Sequence, residues 1–350
     1  MKMMKWAALI MGAFSAAGTA AASPLDIPYE EMALKEINRE GTLIFSDSPE
    51  YASLYGILAE GTVSKGKGKI YYYHVNNTGK PARLVVYGIS DNKTKVQVTR
   101  RLRGDPSKEY VPTGRTLSFR EVTAPRQEIK EYVLEKGRRV ILFEENEKGI
   151  KADDLVSGIV EVVTDRPVKF GTAFVSAKGD IEENLDKAEP LPPDTHEMRG
   201  TFPKDVYFEN EPWNILDGPK EIILGSQESK TPFFITGRDE LNLISRENTG
   251  NYGITCHITI HSTGTGSYDL YINPMGGVFE GTLEVGQVKN LLHVYRTDKT
   301  IGRMFGHETI YDYKKLGTWQ AGRDLYIRFI PPGACYLPIR FLLIPKNEAI

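Results

Sequence analysis

Lys69-Ile-Tyr-Tyr-Tyr-His-Val-Asn-Asn-Thr-Gly79 is followed closely by Leu84-Val-Val-Tyr87. β-Branched and aromatic residues suit the pleated, half-buried surface of a strand, and Asn76 to Gly79 holds the residues that turns require. The stretch therefore reads as two strands joined by a turn. Side chains alternate between the faces of a strand, so some of the three consecutive tyrosines point into a core and some do not.

The same vocabulary extends in both directions. Thr42 to Phe45, Val96 to Thr99, Arg115 to Val122, Glu128 to Leu134, Arg138 to Phe143, Val156 to Val163 and Val168 to Val175 are short, strand-like and separated by turn residues. Strands of this length and spacing predict a sandwich. Before them, residues 23–41 read as a short N-terminal helical segment. Asp26 would cap it, Met32, Ala33 and Ile37 lie at helical spacing, and Gly41 would end it. After them, residues 182–203 carry Pro190, Pro192, Pro193 and Pro203 among charged residues and read as a Pro-rich linker. Strand patterns then resume. The expected fold is all-β, with tandem immunoglobulin-like β-sandwich domains at 42–181 and 204–350.

The second half echoes the first. Ile254-Thr-Cys-His-Ile-Thr-Ile-His-Ser-Thr-Gly264, followed by Leu270-Tyr-Ile272, matches the opening stretch. Val140 to Phe143 has an apparent counterpart in Leu325 to Phe329. An internal duplication is expected.

Ser46-Asp-Ser-Pro-Glu50, Tyr55-Gly-Ile-Leu58 and Tyr72 to Gly79 resemble segments of uncharacterised secreted β-sandwich proteins of Gram-positive-type bacteria and their relatives. The resemblance covers mainly residues 42–175. It implies an envelope location and an immunoglobulin-like fold, and it carries over no catalytic residue.

Residues 1–22 read as a signal peptide. Lys2 and Lys5 precede an apolar run from Trp6 to Gly18, and Ala20-Ala21-Ala22 suits a signal peptidase. The expected location is secreted or periplasmic, in association with the cell envelope. Without Lys2 and Lys5, the 44 basic and 46 acidic residues of the whole chain become 42 and 46, a formal charge of −4. That balance argues against a general nucleic-acid binder, and no later segment is apolar for long enough to span a membrane. Cys256 and Cys335 are the only cysteines. In an exported chain they suggest one disulfide, with two buried free thiols as the alternative.

No catalytic signature stands out. The chain lacks a Gly-x-Ser-x-Gly elbow and a His-Glu-x-x-His motif. His257 and His261 are four apart in a strand-like segment, which separates them by about 13 Å, too far for one ion. No metal, cofactor or catalytic residue is expected.

Charge is unevenly distributed. Residues 93–139 contain thirteen Lys or Arg against six Asp or Glu, and residues 144–189 reverse this to six against twelve. Arg100, Arg101, Arg103, Arg138 and Arg139 are therefore candidates for binding an anionic polymer. Tyr71, Tyr72, Tyr73, Tyr252, Tyr268, Tyr271, Trp213 and Trp319 are candidates for stacking on sugars or, more simply, for packing in a core. The expected function is a non-catalytic binding or scaffolding protein of the cell envelope whose partner is an envelope polymer or surface protein. The rivals are a glycan-active hydrolase and a carbohydrate-binding protein.

Overall fold

A computed structural model describes residues 23–104, 107–125, 129–231, 234–298 and 303–346, with the backbone alone at 146–148. The expected signal peptide lies outside the described residues. Nine principal strands form the first half: β1 (Lys35–Ser46), β2 (Gly56–Val63), β3 (Gly66–Asn76), β4 (Ala82–Ile89), β5 (Thr94–Arg103), β6 (Lys130–Leu134), β7 (Val140–Ile150), β8 (Leu155–Thr164) and β9 (Val168–Ser176). Nine more form the second: β10 (Arg199–Glu209), β11 (Lys220–Leu224), β12 (Thr255–Ile260), β13 (Ser267–Pro274), β14 (Thr282–Val288), β15 (Leu291–Arg296), β16 (Lys314–Gln320), β17 (Leu325–Phe329) and β18 (Ile339–Pro345).

The pairing pattern identifies the fold. In the first half β2 pairs with β9, β3 with β8, β4 with β7 and β5 with β6, all antiparallel. First pairs with last and each inner pair nests within the previous one, which is the jelly-roll arrangement. The second half repeats it, with β11 on β18, β12 on β17, β13 on β16 and β14 on β15. The immunoglobulin-like expectation is thus corrected to two jelly-roll sandwiches. The duplication is visible strand by strand. The quoted stretch is β3 and its echo is β12, while β4 corresponds to β13. Val140 to Phe143, however, lies in β7, whose counterpart is β16 and not β17.

The halves are not held apart by a linker. β1 and β10 pair antiparallel from Ser46↔Arg199 to Lys35↔Glu209. This joins the two sandwiches edge to edge in a sheet whose main path runs β15-β14-β17-β12-β10-β1-β3-β8-β5-β6. That order is the same from either edge when each strand is replaced by its counterpart. Closing the two sheets on each other removes two edges that would otherwise be open to aggregation. It also explains two corrections. Lys35 to Gly41 is strand, not helix, because its backbone pairs with β10 from Lys35↔Glu209 to Glu40↔Asp205; Ile37 is exposed whereas Met32 is buried, so they do not share a face. The end of the Pro-rich segment starts β10 and buries Arg199 completely.

Each sandwich has its own second sheet. The sheet β2-β9-β4-β7 packs on the first half of the long sheet through Leu58, Leu84, Val86 and Phe170 against Ile70, Tyr72, Val160 and Val162. The sheet containing β11-β18-β13-β16 covers the second half through Leu270, Phe341 and Leu343 against Ile258, Ile327 and Phe329. Arg115 to Val122, read as a strand, belongs instead to the helix α1 (Tyr110–Thr123). Its buried Thr113, Leu117 and Glu121 recur every four residues and dock on the outer face of the first sandwich. Tertiary burial here outweighs the strand preference of its Val and Thr residues.

Candidate binding site

The five arginines do not form one open basic face. Arg100, Arg101 and Arg103 lie on β5, whereas Arg138 and Arg139 lie between β6 and β7 beside the short helix α2 (Ile181–Asp186). Arg100 pairs with Glu161 at 3.2 Å, Arg103 with Glu145 at 3.1 Å and Arg138 with Glu182 at 3.1 Å. Arg101 donates to the Tyr132 hydroxyl, and Arg139 donates to the Leu185 carbonyl while lying over the Tyr87 ring. Glu145, Glu161 and Glu182 all come from the acid-rich stretch 144–189. With Lys108–Asp153, four ion pairs among the described residues join the two opposite charge runs.

The aromatic candidates divide. Tyr72, Tyr268, Trp213 and Trp319 are buried in the sandwich cores. Tyr71, Tyr73 and Tyr252 instead line a cavity of about 330 Å³. Alternation along β3 explains the split. Ile70, Tyr72 and His74 face the inner layer, and Tyr71 and Tyr73 face outward, where the second sandwich and α1 close over them. The first sandwich adds Phe45, Asp47 and Glu50 from the end of β1, with Tyr110 from the start of α1. The second adds His196 and Met198 ahead of β10, Thr249 and Tyr252 ahead of β12, and Gly333, Ala334 and Tyr336 between β17 and β18.

The rings are held by one another and by the backbone. Phe45 lies 5.5 Å from Tyr71 and 6.0 Å from Tyr252, and Tyr73 meets Tyr110 edge-on at 6.5 Å. The Tyr252 hydroxyl donates to the Cys335 carbonyl at 2.7 Å, and the hydroxyls of Tyr110 and Tyr51 are 2.8 Å apart. Burial raises the phenol pKa values of Tyr71, Tyr73 and Tyr252, so all three stay neutral.

Asp194 fixes the acidic side of the cavity. Its carboxylate accepts from the Ser48 hydroxyl and from the Glu50, His196 and Glu197 backbone amides at 2.8 to 3.1 Å. Burial works against its charge, but these four donors outweigh it and lower its pKa. Asp47 is in the opposite position. Its Oδ1 is sealed from solvent and has no hydrogen-bond partner among the described residues. Burial, with smaller contributions from Glu50 and Asp194, pushes its carboxyl well above the usual range. Glu50 is raised for the same first reason, with Asp194 adding to the shift and His196 opposing it.

The histidines are dispersed. His257 is 2.9 Å from Asp205 and stacks on Tyr207, while His261 lies between Asp324 at 2.8 Å and Glu209 at 3.5 Å. Burial opposes charge on His261, but those two carboxylates prevail and raise its pKa. Among the described residues, no group of three or more His, Cys, Asp or Glu side chains is arranged to hold a metal ion. Cys256 and Cys335 are buried free thiols, not a disulfide. Cys256 lies on β12 beside Val206 of β10, and Cys335 accepts from the Glu280 amide through Sγ at 3.2 Å.

No family model matches the chain, and no curated protein matches it. Among solved structures, the chain is similar to the CUB1-EGF-CUB2 domain of human MASP-1/3, with 6% identity over 82% of this chain and 99% of that one and a TM-score of 0.21. It is also similar to AerE from Microcystis aeruginosa, with 9% identity over 91% and 98% and a TM-score of 0.15. At these TM-scores neither likeness bears on fold or function.

Proposed function

We propose that this is an exported, non-catalytic binding protein of the cell envelope, which captures a small group of its partner in the cavity between its two sandwiches. The observation that carries this reading is the cavity itself: tyrosines from both sandwiches converge there on a buried carboxyl with an unpartnered oxygen. A cavity of about 330 Å³ with aromatic walls and few polar groups has the character of a small-ligand site. Export rests on the charge, apolar run and small residues of 1–22. Docking through the arginines has less support, because Arg100 and Arg103 are already paired.

The test is capture of the purified protein by isolated cell envelopes. Thr249 is exposed and lines the cavity, so Thr249→Trp would fill the opening without disturbing a core. Capture should be lost in that variant and kept when exposed Arg103 and Arg138 are both changed to Glu. The opposite pattern would restore electrostatic docking on an anionic polymer. One observation favours a second reading, a secreted hydrolase: Asp47 and Glu50 share the cavity, and both have raised pKa values suited to a general acid. Release of soluble fragments from envelopes, abolished by Asp47→Asn, would establish that reading instead.

A further inference from the structure

We infer that the group held in the cavity is an organic ammonium ion, with Asp47 as its counter-ion and the tyrosine rings as its walls. This rests on the cavity being the binding site, and it names the chemistry that the lining selects.

The lining is acidic and aromatic. Asp47 and Glu50 contribute carboxyl groups, and among the described residues neither lysine nor arginine lines the cavity. The carboxylate of Asp194 stands behind them and is held ionised by its four donors. Arg199, the buried cation close by, is committed to Asp239 and to the carbonyls of Ser48, Leu58 and Leu191. The cavity thus has the ionised Asp194 behind its wall, the Asp47 and Glu50 carboxyls available to ionise beside a cation, and His196 as its one basic side chain among the described residues. A cation entering it gains from that field in a setting where water screens little.

The rings supply the second half of the argument. An aromatic face carries partial negative charge and attracts an ammonium group, most strongly when both are desolvated. Tyr71, Tyr73 and Tyr252 are neutral and held in place by neighbouring rings or backbone, so they present such faces at little cost in order. A neutral sugar could stack on the same rings, but it would gain less from the acidic field, and among the described residues no asparagine or glutamine lines the cavity and Thr249 is its one aliphatic hydroxyl. Asp47 completes the case: its carboxyl lines the cavity, and among the described residues no donor already satisfies its Oδ1, so the carboxyl is free to serve as the counter-ion.

The test is calorimetric titration of the purified protein with choline and with n-butylammonium. The controls are 3,3-dimethylbutan-1-ol, which is the uncharged carbon isostere of choline, and N-acetylglucosamine, all at constant ionic strength. At least one cation should bind, at least tenfold more tightly than the isostere, and Asp47→Asn should weaken it at least tenfold. Because the cation and isostere are compared on the wild-type protein, the test stands even if that variant folds poorly. Equal binding of the isostere, or tighter binding of the sugar, would overturn the ammonium assignment and leave the cavity as the site. Binding by none of them, with envelope capture still lost in Thr249→Trp, would do the same. Capture untouched by Thr249→Trp would overturn the cavity reading and this inference with it.

Discussion

Ser46 Oγ lies 2.7 Å from His74 Nε2 and also 2.7 Å from Thr172 Oγ1, while His74 Nδ1 lies 2.8 Å from the Pro49 carbonyl. A carbonyl only accepts, so Nδ1 carries the proton. Nε2 then accepts from Ser46, which accepts from Thr172. This chain runs from β9 through β1 to β3 and ends on the loop 47–50 that brings Asp47 and Glu50 to the cavity. It fixes His74 as a neutral ring.

That geometry predicts acid sensitivity. Burial is the main cause lowering the His74 pKa from 6.5 to about 4, against the opposing pull of the Pro49 carbonyl. Between these values the unfolded chain binds a proton that the native protein refuses. The contribution is therefore fully present above pH 6.5 and is lost as pH falls toward 4, by about 3 kcal/mol at most. Urea unfolding of wild type and His74→Gln at pH 7 and pH 4.5 measures it. The variant should start less stable and lose less on acidification.

Asp47 should show the reverse dependence. Its carboxyl keeps a proton in the native protein that the unfolded chain releases above about pH 3.8. Its contribution to stability is present below that value and declines as pH rises toward its folded value. Asp47→Asn should remove this decline and stabilise the protein at pH 7, while weakening ammonium binding at least tenfold. In the wild type, affinity for the cation should rise with pH as Asp47 ionises against Glu50 and Asp194. A variant that is both less stable and unchanged in binding would contradict this account.

Much of the fold was legible because strand preference and turn chemistry are local. Lys69 to Gly79 announced β3 and its turn, and the echo at Ile254 to Gly264 announced β12. The nesting of pairs was not legible, since β2 and β9 are joined only in space. Arg115 to Val122 misled because burial of Leu117 and Glu121 decides that helix, not propensity. The site was half visible: Tyr71, Tyr73 and Tyr252 stood out as aromatics, but Asp47, Glu50, Tyr110, His196 and Tyr336 did not. Alternation along β3 separates Tyr71 and Tyr73 from Tyr72, yet nothing local shows that the outward face would be roofed by residues 196–198, 249–252 and 333–336. The charge runs at 93–139 and 144–189 were real, but Arg100, Arg103 and Arg138 of the first pair with Glu161, Glu145 and Glu182 of the second, which composition alone does not show.

The cysteines give a chemical test of the packing. Burial raises the Cys335 pKa to about 12 and raises Cys256 as well. A buried, protonated thiol is a poor nucleophile. Neither should react with an aromatic disulfide reagent in the native protein, and both should react at once in guanidinium chloride. Reducing agent should leave the unfolding midpoint unchanged. Destabilisation by reductant would instead mean that the two form a bond.

Arg199 tests whether the two sandwiches stand or fall together. It is fully buried at the first residue of β10, where Nε donates to Asp239 at 3.0 Å. Nη1 donates to the carbonyls of Ser48, Leu58 and Leu191 at 2.8 to 3.3 Å. One guanidinium thus ties the second sandwich to three backbone groups from the first sandwich and the segment after it. Truncation to Ala would leave the Asp239 charge buried without its cation, which costs about 3–5 kcal/mol. Lysine cannot restore the pattern, because a single ammonium lacks the planar fork that reaches a carboxylate and three carbonyls at once. Arg199→Ala should therefore lower the unfolding midpoint of both sandwiches in one cooperative transition, with Arg199→Lys recovering less than half of the loss. Two separate transitions, one unmoved by the substitution, would show that the β1–β10 junction does not couple the halves.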